Sequence, residues 1–213
     1  MTARPSRSRK PEPTRPVSAD AWNDHYRRGH TPWERHRPPP DLLELLERLG
    51  DAILSVLVPG AGHGTDAIAW AAAGHDVTAV DHAVDAIESC RVRSRRAGHR
   101  VRLVLGDVLH LPPDLHGGFD LVWEQTCFCA LPPASRRAYA CQVAKALKPG
   151  GRLIGLFWEH GHTGGPPYNV SEACVRSAFD DVFELVSLDA ATPLPDRRRE
   201  FLVVLRRRDW RPC

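Results

Sequence analysis

Three glycines at alternate positions, Gly60, Gly62 and Gly64, sit in the run Val58-Pro-Gly-Ala-Gly-His-Gly-Thr-Asp66. A turn without side chains lets backbone N–H groups approach a ligand, and a helix starting there presents further free N–H groups. Such a turn can also be a plain structural bend. Two carboxylates weigh against that bland reading. Asp81 closes the apolar run Val77 to Val80, roughly twenty residues on, where a ribose diol would lie. Gly106-Asp107 follows another short apolar run, placed for a carboxylate to accept from an adenine amino group. Together these features point to a nucleoside-containing cofactor at the carboxyl ends of strands. The glycine spacing is GxGxG, not the GxGxxG of dinucleotide sites, which disfavours a nicotinamide enzyme.

Aromatic residues form a second group. Trp22, Tyr26 and Trp33 are interleaved with polar residues near the start of the chain, where they would either pack under a loop or cover a site. His160 and His162 flank a Gly/Pro-rich loop and are candidate proton acceptors, though histidines in loops are commonly just solvated. Cys127-x-Cys129 has no second pair at metal-site spacing, so no metal is expected. Gly165-Pro-Pro-Tyr168 looks like the Pro-Pro-Tyr motif of nucleic-acid amino-methylating enzymes. It opens with Gly and follows the fifth strand, not the fourth, and that reading is rejected.

The elements that must position these groups alternate along the chain. Apolar runs predict strands at Ile53 to Val58, Val77 to Val80, Val101 to Leu105, Phe119 to Trp123 and Leu153 to Trp158. Helices are expected at about 66–73, 83–96 and 134–147, the last stopping at Lys148-Pro-Gly-Gly151. A further amphipathic helix with leucines at 42, 43, 45, 46 and 49 is read as capped by Asp41. The chain closes with a helix at about 171–179 and strands at Phe183 to Ser187 and Phe201 to Arg206. Short strands separated by helices imply an α/β fold, a mostly parallel sheet covered on both faces. The last two strands lack a helix between them, so one of the seven is expected to run antiparallel.

Composition bounds the rest. At 213 residues, 42% hydrophobic and 26% charged, the chain suits one globular domain and excludes a collagen, a membrane bundle or wholesale disorder. Residues 1–19 carry five basic groups against Glu12, a net of +4, so the chain's +3 leaves the remainder at −1. The basic balance therefore belongs to an Arg/Pro-rich tail, expected to be disordered, and nucleic-acid binding is not expected of the domain at residues 20–213. The arginines at 91, 93, 95 and 96 read as a solvated helix face. No secretory signal or membrane span is seen, and six scattered cysteines suit reduced thiols in the cytoplasm.

Longer matches lie outside the glycine turn. Trp22-x3-Tyr26-x2-Gly-His-Thr-Pro-Trp33-Glu, Val-Pro-Gly-x-Gly, Cys127-Phe-Cys-Ala-Leu-Pro-Pro-x-x-Arg136-x-x-Tyr139 and Gly164-Gly-Pro-Pro-Tyr168 occur in order over about residues 21–206. This set resembles the thiopurine S-methyltransferase family of class I, Rossmann-like methyltransferases, which includes thiol and halide methyltransferases. The resemblance implies S-adenosylmethionine as cofactor and a small-molecule methyl acceptor, taken by a monomer. Gly60, Gly62 and Gly64 would border the cofactor's amino-acid end, Asp81 with His82 its ribose, and Asp107 with Val108 its adenine. Trp22, Tyr26 and Trp33 would form a lid (about 20–40), with Trp22 and Trp33 on the cofactor and Tyr26 on the substrate. Phe128, Arg136 and Tyr168 would line the acceptor pocket, Arg136 and Tyr168 acting in catalysis with His162. Glu124-Gln-Thr-Cys departs from the family's usual residues after the fourth strand, and Glu124 is assigned to the cofactor. A thiol, or another sulfur or selenium compound, is the expected acceptor, halide the alternative, and an N- or O-methylated natural product a third.

Overall fold

Alternation along the strands decides the layering. In β1 (Ser55–Pro59), Val56 and Val58 pack into one apolar cluster with Leu42, Ala67 and Trp70, whereas Leu57 packs into another with Tyr139 and Phe179. β4 (Phe119–Gln125) repeats the pattern, with Leu121 and Trp123 on the first side and Val122 on the second. Successive side chains point to opposite faces, so strands apolar at consecutive positions must be covered on both. The first cluster lies under α2 (Pro40–Leu49), α3 (Thr65–Ala72) and α4 (Val84–Arg96). The second lies under α5 (Arg136–Ala146) and α6 (Glu172–Phe179).

The computed structural model describes residues 16–194 and 199–209. Most of the tail expected at residues 1–19 therefore lies outside the described residues. The remaining strands are β2 (Asp76–Asp81), β3 (Arg102–Leu105), β5 (Leu147–Trp158), β6 (Phe183–Ala190) and β7 (Glu200–Arg207), and α1 (Ala19–Arg27) precedes them all. The sheet order is β3-β2-β1-β4-β5-β7-β6, and β7 alone runs antiparallel to its neighbours. This is the expected seven-stranded, mostly parallel Rossmann-like sheet with one antiparallel strand. The order reverses between β1 and β4, and a crevice opens at the carboxyl ends of strands at such a switch point. Among the described residues no helix is long and apolar enough to cross a membrane.

Several expectations need correction. Ile53 is 71% exposed, and β1 begins at Ser55. Asp41 does not cap α2; Pro39 is the cap and Asp41 accepts from the Thr192 N–H instead. The turn Lys148-Pro-Gly-Gly151 lies inside β5, whose pairing with β4 shifts register between Phe119 and Leu121. Helix α1 was not foreseen, because it buries little beyond Asn23. Asn23 compensates by accepting from the Asp85 N–H at 3.1 Å, which satisfies a free donor at the start of α4. Cys141 is disulfide-bonded, with its partner outside the described residues, so six reduced thiols is not the state found; Cys90, Cys127, Cys129 and Cys174 are free.

Gly64 caps α3 in the left-handed region at φ +81°, and a Cβ there would lie 2.2 Å from Cys90 Sγ. The third glycine is thus a packing contact between α3 and α4. Gly64→Ala is expected to destabilise the fold by about 3 kcal/mol through overpacking and left-handed strain. Thermal unfolding should show a fall of roughly 6–12 °C in Tm. Adding Cys90→Ala, which removes the obstructing sulfur, should restore part of the loss.

Candidate functional site

A cavity of about 670 Å³ opens at the carboxyl ends of the parallel strands. Gly60 beyond β1, Asp81 and His82 at the end of β2, Asp107 and Val108 beyond β3, and Thr126 and Cys127 beyond β4 all line it. Four adjacent parallel strands thus deliver four loop ends to one place. Gly60 is needed there because a Cβ would meet Cys127 Cβ and Sγ at 2.8 Å. Asp81 is buried, its Oδ2 accepting from Gly62 N–H at 3.0 Å and its Oδ1 from Ala83 N–H at 2.9 Å. Burial raises its pKa, while those hydrogen bonds oppose the rise. Asp107 Oδ1 accepts from Leu109 N–H at 2.8 Å, and its Oδ2 faces His110 at 3.1 Å. Thr126 has φ +61°. A β-branched residue there stores about 1–3 kcal/mol of strain, and such strain is typical of functional turns.

The roof is built from the N-terminal segment. Trp22, His25 and Tyr26 lie on one face of α1 and line the cavity, joined by His30 and Trp33 from the following loop. Trp22 and Trp33 meet edge to face at 5.1 Å, and Tyr26 meets Trp33 at 5.9 Å. Pro16 to Ala19, assigned by sequence largely to the tail, also line the cavity. The roof is fastened just past Trp33. Glu34 Oε1 accepts from Thr65 Oγ1 at 2.7 Å and Arg93 Nη1 at 2.9 Å, and Arg93 Nη2 donates to Thr65 Oγ1 at 3.0 Å. Arg35 adds an ion pair to the buried Glu200 at 3.2 Å. Arg93 is therefore not part of a solvated face: it ties α4 to the lid. Neither this fastening nor the two lid histidines were foreseen, although His25 falls one helical turn after Trp22 and the spacing could have flagged it.

Seven of the expected site residues do not line the cavity. Gly62 and Gly64 shape the turn beneath it. Glu124 is 1% exposed, its Oε1 accepting from the N–H groups of Cys127 (3.0 Å) and Phe128 (2.8 Å) and its other oxygen from Tyr139. Burial pushes its pKa up to about 7 despite these bonds. Gly155 makes room for it, since a Cβ would lie 2.6 Å from Glu124 Cβ. Glu124 thus braces the loop beyond β4 from behind. Arg136 is also buried. It donates to Asn169 O at 3.2 and 3.3 Å, and its guanidinium lies 4.7 Å from the Phe128 ring centroid. Tyr168 is 2% exposed, its N–H donating to Cys129 O at 2.7 Å and its ring packed on Gly165. Arg136, Phe128 and Tyr168 hold the wall, and the surfaces offered to the cavity are Cys129 to Leu131, Trp158, Pro166 and Pro167. His162 is exposed and does not line the cavity; it stacks at 5.4 Å on His160, which meets the cavity-lining Trp158 at 4.9 Å.

The residues present fit S-adenosylmethionine: a carboxylate for a ribose, a side-chain-free approach at Gly60, and aromatic faces that attract a sulfonium cation. Known proteins agree with this geometry. The family model for thiopurine S-methyltransferase matches residues 17–208. A probable thiol methyltransferase 2 of Arabidopsis thaliana is 33% identical over 156 residues, covering 72% of this chain and 69% of its own. Thiocyanate methyltransferase 1 of Brassica oleracea is 31% identical over 180 residues, covering 83% and 76%. The solved 1,6-didemethyltoxoflavin-N1-methyltransferase of Burkholderia thailandensis, with S-adenosylhomocysteine bound, superposes with a TM-score of 0.70 at 23% identity over 90% of this chain and 87% of its own, a likeness of fold. With a matching family model over nearly all the described residues and a cavity shaped for the cofactor, the chain belongs to the thiopurine S-methyltransferase family of S-adenosylmethionine-dependent enzymes.

Proposed function

We propose that this methyltransferase transfers a methyl group to a small, soft nucleophile, a thiol first of all. The observation that carries the reading is the character of the cavity's two ends. The end at Asp81, Asp107 and Val108 offers carboxylates and a narrow cleft for a nucleoside. The other, walled by Cys127, Cys129 to Leu131, Trp158, Pro166 and Pro167, is apolar, and none of the described residues lining the cavity is Lys or Arg. A soft, polarisable sulfur suits such a wall better than a phosphate or a strongly hydrated anion. When bound, S-adenosylmethionine supplies an electrophilic methyl group. The chain's own part is to bind, orient and exclude water, which supplies most of the rate gain in a displacement between positioned partners. Asp81 and His82 hold the ribose in this reading, Asp107 and Val108 the adenine, and the aromatic roof covers the donor. Glu124, Arg136 and Tyr168 act from behind by fixing the loops that face the acceptor.

Three measurements follow. Calorimetric titration should show S-adenosylhomocysteine binding, weakened at least tenfold in Asp81→Asn. An acceptor panel of aryl thiols, hydrosulfide, selenite, thiocyanate and iodide should give thiol methylation as the fastest reaction; iodide turnover without any on thiols would sink the thiol reading. If the Glu34–Thr65–Arg93 cluster keeps the N-terminal roof seated, Arg93→Ala should weaken S-adenosylhomocysteine binding about tenfold, the equivalent of ~1.4 kcal/mol. It should also lower Tm, because Glu34 loses its charged partner while largely buried.

The Glu124 carboxyl gives a pH signature. Its folded pKa of about 7 lies above the ordinary glutamate value of 4.5, so its stabilising contribution is full below pH 4.5 and is lost as pH rises through 7. Asp66, raised by burial to about 6, acts in the same direction. Denaturant unfolding from pH 4.5 to 8 should show the parent protein losing stability relative to Glu124→Gln by up to about 3 kcal/mol across that window. A parallel pH dependence in both proteins would remove Glu124 as the cause.

A further inference from the structure

A thiol must lose its proton to be methylated to a neutral thioether, and His162, the candidate base in the sequence, does not line the cavity. The titratable groups that do line it can be sorted by what already occupies them. Both oxygens of Asp81 and both of Asp107 are engaged by the chain. Burial pushes the Cys127 thiol and the Tyr26 hydroxyl well up, so neither gives an anion that could take a proton near neutral pH. Three imidazoles line the cavity among the described residues. His82 at the end of β2 goes to the ribose in the reading above, which leaves His25 and His30 of the roof. Imidazole is the side chain most often used as a general base.

His25 and His30 are in direct contact. His25 Nδ1 lies 3.2 Å from the carbonyl oxygen of His30 and 3.3 Å from His30 Nδ1. A carbonyl only accepts, so in the neutral ring the His25 proton sits on Nδ1 and Nε2 carries the lone pair. His30 Nδ1, meeting that same N–H, acts as an acceptor, and its own proton is then on Nε2. The two rings stack at 5.4 Å, and the edges of Trp22 at 5.9 Å and Trp33 at 5.3 Å hold His25 in place. Both imidazoles line the cavity from the roof, His25 between Trp22 and Trp33.

We infer that His25 is the group that takes the proton from the acceptor thiol, with His30 fixing its tautomer. The step balances without any further reagent. The S–H bond breaks and its proton goes to His25 Nε2. The sulfur's electron pair forms the new S–C bond to the methyl carbon, and the breaking methyl–sulfonium bond returns its pair to the donor sulfur. A thioether, S-adenosylhomocysteine and an imidazolium remain, and the exposed side of the lid passes the proton to solvent. The charged and titratable groups around His25 are few: Asp24 on its own helix, turned to Arg28 at 2.9 Å, Tyr26, His30 on the loop, and Asp81 and His82 across the cavity.

This inference rests on the thiol reading above, and the test separates the two. Thiol turnover by the unmodified protein decides the reading itself; its absence overturns both. Given that turnover, His25→Asn keeps a donor towards the His30 carbonyl and loses the Nε2 lone pair. At pH 7 its kcat/KM for an aryl thiol should fall about 100-fold relative to its kcat/KM for iodide, which releases no proton, a size usual for general-base catalysis. The loss should shrink as pH rises and the thiol arrives already ionised, while His30→Asn should show a smaller loss with the same pH dependence. Equal losses on thiol and iodide at every pH would make His25 a packing residue of the lid and overturn the proposal, as would an unchanged thiol rate. Calorimetry with S-adenosylhomocysteine checks that both variants are folded and bind the cofactor product; a variant that fails this is replaced by His25→Gln, read in the same way.

Discussion

One carboxylate joins the two turns on which the cofactor end depends. Asp81, at the end of β2, receives Gly62 N–H from the glycine turn with one oxygen and Ala83 N–H from the start of α4 with the other. A buried carboxylate without partners would be costly; two backbone donors offset that cost and fix both turns relative to β2. The parallel register, with Pro59 opposite Val80, brings the turns level. The chain's own hydrogen bonds therefore fix this surface, and under the function proposed above that lowers the ordering cost of binding a cofactor there. The close approach of Gly60 to Cys127 extends the same frame to the loop beyond β4, and Glu124 holds that loop from the far side.

The lid obeys a different logic. Its helix α1 buries almost nothing apolar, so hydrophobic packing alone would not seat it. Polar contacts do: Asn23 to the start of α4, Glu34 to Arg93 and Thr65, and Arg35 to Glu200. Surface ion pairs such as Arg27 with Asp85 add little, whereas the partly buried Glu34 cluster and the buried Glu200 are costly to break one partner at a time. Few, directional bonds seat this roof in one geometry.

Strand positions and the glycine turn were legible in the sequence because they rest on local rules: apolar runs, left-handed φ, and a carboxylate at a strand end. Asp81, Asp107, Gly60 and the three lid aromatics reach the cavity as expected. Glu124, Arg136, Phe128 and Tyr168, expected on the cofactor or the acceptor, do not line the cavity and lie behind its wall. A residue's place in a motif does not tell which way its side chain faces; for Arg136 and Glu124 that depends on Asn169 O and Gly155, which come from distant parts of the chain. The lid helix and the Arg93 contact were illegible for the same reason. Among 26 arginines, nothing local marks the one that meets Glu34 across 59 residues. The chain's overall basic charge, by contrast, was resolved by simple location: it sits in residues 1–19, and the cavity shows no basic lining.

The charges of the reaction itself explain why the polar and apolar parts are distributed as they are. A thiolate meeting a sulfonium cancels charge as it proceeds, and a water-poor, weakly polar chamber favours such a cancellation because neither product needs strong solvation. The same chamber would oppose creating the thiolate if its proton had to stay inside. A base in the floor, such as the fully buried Glu124, would keep that proton next to the reaction in a low-dielectric layer. A base in the roof does not: His25 is only partly buried and His30 is exposed, so an imidazolium formed there is hydrated and can release its proton outward. The arrangement with the least electrostatic conflict therefore has a dry floor that positions the methyl donor and a wet-edged roof that removes the proton, and His25 and His30 lie in that roof.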